Sequence, residues 1–340
     1  MTWTQEQAFV NQRIQVGAEA TTALGTSVSA GKILQCYDVV FQPKGDTTFY
    51  RPVGRKYPAV QEQNTEWVEG SWSGALDYNA IQYILAGCMG SVATAAHAGP
   101  SATAKDWVYT PTVTGSVVPQ TYTVEQGDST RAHKSTYNLF TDFGYTMTRK
   151  STSITAKSIS RPLSDGITLT SNPTAVALAP VPGKHLSVYL DTSSGGLGGT
   201  LLTKVLQVQY QMATVYAPFW PINAANAGFT NHVDMAPGAS IKLLMEADSV
   251  GMARLADWEL GTTYFLRVDA LGTVAIATDG PASANIYNEF KHDMAIKFGE
   301  PSQFQDKDGV FAIEWPGTIV EDATWAKAQT VTVTNLITAL

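Results

Sequence analysis

The chain has 340 residues, a formal net charge of −7 and 15% charged residues against 44% hydrophobic ones. That apolar content excludes wholesale disorder, the length has room for two domains, and the acidic balance argues against gripping nucleic acid through a basic face. The charged fraction lies well below the roughly 25% usual in soluble proteins; Thr, Ser, Gly and Ala fill the gap, as in β proteins whose surfaces are largely used in contacts.

The N-terminus lacks the basic end and apolar run of a secretory signal, and no apolar run approaches a membrane span. Cys36 and Cys88 stand apart, without Cys-x-x-Cys spacing. Both are expected as buried free thiols in a soluble protein kept in a reducing cytoplasm. Residues 5–14 have the makings of a short helix through Phe9, Val10 and Ile14. Residues 17–31, GAEATTALGTSVSAG, are expected as an extended arm or surface loop, ordered only by lying on its own domain or a neighbouring subunit. Residues 32–42 form a strand and 43–46 a loop, and residues 47–59 carry Tyr50, Arg51, Arg55, Lys56 and Tyr57.

Residues 67–90, WVEGSWSGALDYNAIQYILAGCMG, are the anchor of the sequence: a strand, a turn at 70–74 and a short amphipathic helix. Asp77 is placed to cap that helix. Ile81, Ile84, Leu85 and Cys88 make one apolar stripe, and Gly87 or Gly90 ends it. A helix with one narrow apolar face belongs across a sheet. Residues 91–105 are a small-residue linker. Residues 107–118 alternate like a strand with Pro111 at an edge, 121–125 form another strand, and 136–149 a longer strand pair. Residues 151–162 fit strand or helix equally. Residues 168–183, with Pro173, Pro180 and Pro182, are the best domain boundary. The expected organisation is an arm at 1–31, a domain at 32–172, a linker at 173–183 and a second domain at 184–340.

Past that boundary the sequence starts again. KILQCYD at Lys32 resembles KHLSVYLD at Lys184 at an offset of 152, and Tyr137 to Phe140 resembles Tyr287 to Phe290 at an offset of 150. Between them a strand and helix recur, with Asp248 as cap and Met252, Leu255, Ala256 and Leu260 as stripe, at an offset near 171. Three matches in one order point to an internal duplication; the alternative is two unrelated β domains with similar turns. The second half adds a hairpin at 201–211 preceded by GGLGG, and a long loop at 216–231 carrying Trp220 and Phe229. It then adds a hairpin at 262–276 turning near Leu271 and Gly272, and a hairpin at 303–315 turned by Asp308 and Gly309. A half-buried strand closes the chain within 328–340, where Val331 and Val333 alternate with threonines; it pairs in its own sheet or on a partner's edge.

Chemistry is sparse. His97, His133, His185, His232 and His292 are scattered without zinc spacing. Gly70 to Gly74 has Trp72 where a nucleophile elbow needs serine. Gly195 to Gly199 fails the dinucleotide fingerprint, and Asp306 to Gly309 fails calcium-loop spacing. The aromatic and basic residues of 50–57 suit a protein contact better than nucleic-acid bases on so acidic a chain. No catalytic residue, cofactor or metal site is expected.

The segment GAEATTALGTSVSAGKIL, through Gly17, Glu19, Gly25 and Thr26, resembles the N-terminal Gly-x-Glu … Gly-Thr segment of the tail tube proteins of long, non-contractile-tailed bacteriophages. The strand-plus-helix unit at 67–90 looks like theirs, and Asp308-Gly309-Val310 through Val333 and Asn335 looks like their C-terminal ending. The resemblance implies a mainly β fold: a sandwich or half-barrel with a flanking helix, whose inner strands join those of neighbours into rings that stack as a hollow tube. It implies a structural virion protein of the tail, assembled in the host cytoplasm. Its partners would be itself, the tape measure, the tail terminator and the distal tail proteins, with double-stranded DNA passing unbound and no membrane contact. This chain departs from the family by its doubled domain, so three copies would supply a pseudo-six-fold ring. A hexamer with one half decorating the outside is the alternative. Contact candidates are Gly17, Glu19, Gly25, Thr26, Tyr50, Arg51, Tyr57, Trp220, Phe229, Val331 and Val333. Rival readings are a capsid-decorating or carbohydrate-binding β-sandwich and, more weakly, a secreted hydrolase.

Overall fold

The computed structural model describes residues 9–90, 92, 95–97, 103–222, 227–279 and 284–340. Strands hold 54% and helices 9%, so the protein is mainly β. Its main sheet begins at strand Tyr37–Tyr50 and continues through Val60–Ala75, Thr152–Ser160, Ala132–Thr148, Val205–Ala213 and Gly238–Glu246 to Val310–Ile319. Every neighbouring pair is antiparallel, and side chains alternate between a core face and an open face.

One pairing order occurs in both halves. In the first, Tyr37–Tyr50 pairs with Val60–Ala75 and that with Thr152–Ser160, while Tyr122–Gly127 lies between Arg13–Ala18 and Ala132–Thr148. In the second, Val205–Ala213 pairs with Gly238–Glu246 and that with Val310–Ile319, while Thr263–Asp279 lies between Leu186–Asp191 and Ala284–Phe298. Each half sets its helix after the second strand of the first series. Each outer strand also follows a short 3-10 turn, Phe9–Asn11 in one half and Gly183–His185 in the other. The offsets of 150 and 171 follow this order. The offset of 152 does not, because Leu186–Asp191 takes the place of Arg13–Ala18 and not of the segment after Lys32.

The halves meet within the main sheet, where Ala132–Thr148 pairs with Val205–Ala213 from Gln207↔Thr148 to Met212↔Phe143. Tyr145 stacks on Tyr210 with ring centroids 5.1 Å apart, and His292 lies edge-on to Tyr210 at 4.6 Å. Tyr145 Oη donates to His292 Nδ1 at 3.0 Å, while His292 Nε2 and Tyr210 Oη both donate to Gln329 Oε1, at 3.1 and 2.9 Å. Since the amide oxygen only accepts, the imidazole carries its proton on Nε2 and is neutral. Burial holds its pKa down at about 3.

Strand Ala132–Thr148 serves two sheets, and its corner is at Tyr137, a buried residue with φ of +56°. Glu19 secures that corner. Its carboxylate is buried and accepts from Gly25 N (2.7 Å), Thr121 Oγ1 (2.7 Å), Thr123 Oγ1 (3.0 Å) and Tyr137 N (2.9 Å). The expected surface arm is thus built into its own domain: Arg13–Ala18 is a mostly buried strand. The helix expected at 5–14 lies partly outside the described residues, and from Arg13 onward the chain is strand.

The anchor departs from expectation in two ways. The turn at 70–74 is instead the middle of strand Val60–Ala75; its glycines let Ser158 and the Cys36 carbonyl approach where a Cβ would collide. Helix Ile81–Met89 is buried all round, not on one stripe. Asp77 does open it, accepting from Asn79 N at 2.8 Å and Ala80 N at 3.0 Å. Gly87 lies against the Phe140 ring, and Gly90, at φ +99°, ends the helix. The second helical segment, Ser249–Met252 then Arg254–Leu260, has Asp248 as its cap but leaves Leu255 and Leu260 exposed.

Other expectations shift similarly. The loop at 43–46 is strand, with Pro43 at the sheet's edge where a missing N–H is tolerated. Strand Lys105–Tyr109 is shorter than 107–118 implied, 136–149 is one strand, not a pair, and 151–162 is strand. No turn occurs at Leu271-Gly272: Thr263–Asp279 runs through it, and a bulge absorbs the glycine. The hairpin expected at 201–211 is instead the start of Val205–Ala213 paired with Gly238–Glu246. Asp308 (φ +54°) and Gly309 (φ +81°) do make the tight turn their sequence implies. Gln329–Asn335 is buried along nearly its whole length, and its two edges are paired with Ala284–Phe298 and Lys105–Tyr109. Cys88 is buried and Cys36 half-buried, and burial pushes the Cys36 thiol up to about 12.

Candidate functional site

The feature best placed to act is a surface: the open face of the main sheet, with its edges. Reading across paired residues, one row is Asp38, Ser73, Thr155, Gly144, Gln211, Ser240 and Thr318. A second is Ala75, Ser153, Thr146, Gln209, Lys242 and Pro316. Directly behind lies an apolar layer with Trp72, Ile154, Phe143, Tyr210, Ile241 and Trp315, all buried. Burying such side chains contributes roughly 1.5–3 kcal/mol each, so one face holds the sheet together while the other stays wet. The wet face is built mainly of small hydrogen-bonding residues. Its charges include Asp38, Glu69 and Asp142 beside Lys157, and Lys242 is paired with Glu314 at 3.0 Å.

The sheet is open at its start. Tyr37–Tyr50 pairs with Val60–Ala75 on one side and with no described strand on the other. At the far end, residues 299–304 run beside Val310–Ile319, with Gly299 N donating to Pro316 O at 2.7 Å and Ser302 N to Glu314 O at 3.0 Å. Glu300, Ser302, Gln303 and Phe304 are exposed there. Beyond Lys44 the first hairpin projects as a two-stranded ribbon, and its tip exposes Phe49, Tyr50, Val53 and Tyr57.

The sequence candidates fall into distinct places. Tyr50, Arg51 and Tyr57 are exposed on or beside the ribbon tip. Gly17, Glu19 and Gly25 work inside the chain: a Cβ at Gly17 would meet Ser29 O at 2.6 Å, and Gly25 turns at φ +78° against Tyr137 and Arg161. Thr26 is exposed on that turn. The loop at 216–231 begins and ends in a small two-stranded sheet, Tyr216–Phe219 with Asn231–Asp234. Trp220 sits against Trp67 at 5.7 Å, and Phe229 is buried against Tyr137 at 5.0 Å. Val331 and Val333 are fully buried. Phe229, Val331, Val333 and Glu19 are therefore already used within the fold. The residues the candidate set lacks are the polar rows, whose only signal is alternation in stretches such as TSITAKSIS and QVQYQ.

Among the described residues, no group of three His, Cys, Asp or Glu side chains could hold a metal ion, and no helix is long and apolar enough to cross a membrane. No protein-family model matches the chain, and a search of curated proteins finds no similar sequence.

Proposed function

We propose that the two halves are copies of one domain and that the protein is a self-assembling wall subunit of a hollow tube, as in the tail tubes of long, non-contractile-tailed bacteriophages. The observation that carries this reading is the sheet that crosses from one half to the other. Strand Ala132–Thr148 of the first half receives Val205–Ala213 of the second, and the strand in the second strand's place within the first half, Tyr37–Tyr50, has its outer side open. Repeating the internal join between molecules sets Tyr37–Tyr50 of one copy against the 299–304 edge of the next. Such a step adds two domains per copy, and three copies give six. Closure leaves no free edge, which otherwise invites uncontrolled pairing. The polar rows then face the bore and the apolar layer faces outward into the packed helices. Carboxylates on the bore face favour passage of DNA without adhesion, and the tape measure, terminator and distal tail proteins are the partners this reading brings. It places the protein in the virion tail after assembly in the host cytoplasm.

The test is electron microscopy of purified protein with symmetry analysis. Hollow tubes of three-fold rings are the expected result. Six-fold rings keep the tube and discard the two-domain step. Dispersed small particles at high concentration overturn the reading and favour a decorating or carbohydrate-binding module.

A further inference from the structure

The linker shows how the second half holds onto the first. Ahead of Leu186–Asp191 it crosses the turn that opens helix Ile81–Met89. Ala179 N donates to Asp77 Oδ2 at 2.5 Å, Tyr78 N donates to Ala179 O at 2.9 Å, and Val181 N donates to Leu76 O at 2.8 Å. Pro180 and Asp77 form an isolated antiparallel bridge, and Thr152 Oγ1 donates to Val181 O. Val176 and Val181 are buried beneath it.

The second half repeats the receiving surface, and among the described residues no linker lies across it. Asp248 occupies the place of Asp77 and caps its helix through Oδ1, which accepts from Val250 N at 2.9 Å and Gly251 N at 3.0 Å. Its Oδ2, the counterpart of the oxygen that Ala179 reaches, accepts no hydrogen bond from the described residues. The pairing order puts Phe311 in the place of Thr152, since Ser153 opposes Ala75 as Ala312 opposes Glu246. Phe311 is 61% exposed and stacks on Phe304, itself 51% exposed, at 4.6 Å. Ala247 N donates to Phe311 O at 2.8 Å, which fixes this aromatic pair beside the turn.

The matching segment lies at the other end of the sequence. Arg13–Ala18 and its 3-10 turn stand in the first half where Leu186–Asp191 and its turn stand in the second, so residues 1–8 correspond to 175–182. We propose that residues 247–249, with Phe304 and Phe311, bind residues 1–8 of a second copy as an antiparallel bridge, giving Asp248 Oδ2 a backbone N–H and the aromatic pair an apolar side chain such as Trp3. This rests on the reading that copies join head to tail, and it names the strap that secures the join.

Full-length Gln5→Cys and Ser249→Cys copies, each also carrying Cys36→Ser because Cys36 is only half-buried, are mixed under mild oxidation. The expected result is an intermolecular disulfide, mapped by peptide mass, well above that of a Gln5→Cys and Thr192→Cys control. Asp248→Ser keeps a capping oxygen and removes the second acceptor. It should retain the thermal midpoint yet weaken self-association about tenfold, the scale of one lost charge-assisted hydrogen bond. A disulfide without rings upholds the strap and sinks the tube. Rings without the disulfide keep the tube and overturn the strap. Neither rings nor disulfide overturns both.

Discussion

The two helix-opening aspartates do the same local work in different surroundings. Asp77 is fully buried, with the linker lying over it, whereas Asp248 caps an exposed helical segment with one oxygen that accepts no hydrogen bond from the described residues. Their helices differ likewise: Ile81–Met89 has no exposed residue, and Arg254–Leu260 has no buried one. The segments after Tyr37–Tyr50 and Val205–Ala213 repeat the contrast. The 216–231 loop folds back onto Trp67 and Tyr137, while the ribbon around Val53 projects alone. Among the described residues, surfaces of one pattern are covered at the join between the halves and bare away from it, so the local fold alone does not set the covering.

Breaking the covered junction should have the largest effect. Tyr145→Ala removes a buried ring from between the halves and orphans His292, costing on the order of 3–5 kcal/mol. Urea unfolding monitored separately in each half should show both destabilised together; loss confined to one half would contradict a shared core. Tyr50→Ala on the bare ribbon should change stability by less than about 0.5 kcal/mol.

Acid sharpens the comparison next. His292 is neutral in the fold with a pKa near 3, against the 6.5 it takes when free. The unfolded chain therefore binds the extra proton between those values, and stability falls as pH drops from 6.5 toward 3. Between pH 6.5 and 4.5 the loss is on the order of 2 kcal/mol. Asp269 acts in reverse: burial and then Glu289 raise its carboxyl to about 6, so stability rises as pH falls from 6 toward 3.8. The readout is accordingly the difference between wild type and His292→Gln across that range. An equal acid sensitivity in both would show that His292 is not the cause.

The caps give the most direct comparison. Asp77→Ala leaves three N–H groups, one buried and two part-buried, without their acceptor and should cost about 3 kcal/mol. Asp248→Ala loses an ordinary exposed cap, about 1 kcal/mol. Equal losses in thermal or urea melts would mean that the linker adds nothing to Asp77.

Much of this pattern was legible in the sequence. Asp77 and Asp248 announce their helices through capping chemistry, Asp308-Gly309 announces its turn, and the recurrence near offsets of 150 and 171 follows the pairing order. Glycine was the main source of error. Gly70, Gly74 and Gly272 look like turn residues, yet the first two permit close approach of a neighbour and the third lies in a bulge; one residue type serves all three needs. Glu19 reads as surface because its segment is polar, and nothing local reveals that Thr121, Thr123 and Tyr137 converge on it from more than a hundred positions away. The polar rows lack a motif because a wet wall needs only small hydrogen-bonding residues at every second position. Their significance appears when seven strands are laid side by side.

Tyr137 carries a consequence for the order of folding. A non-glycine residue at φ +56° is strained by roughly 1–2 kcal/mol, and its N–H is satisfied by Glu19, which arrives from more than a hundred positions earlier. The corner can be held only after the N-terminal strand has docked, so Glu19 behaves as a late clasp. Interactions made after the folding barrier slow unfolding without speeding folding. The segment through Glu19 should thus govern how long a finished subunit lasts more than how fast it forms.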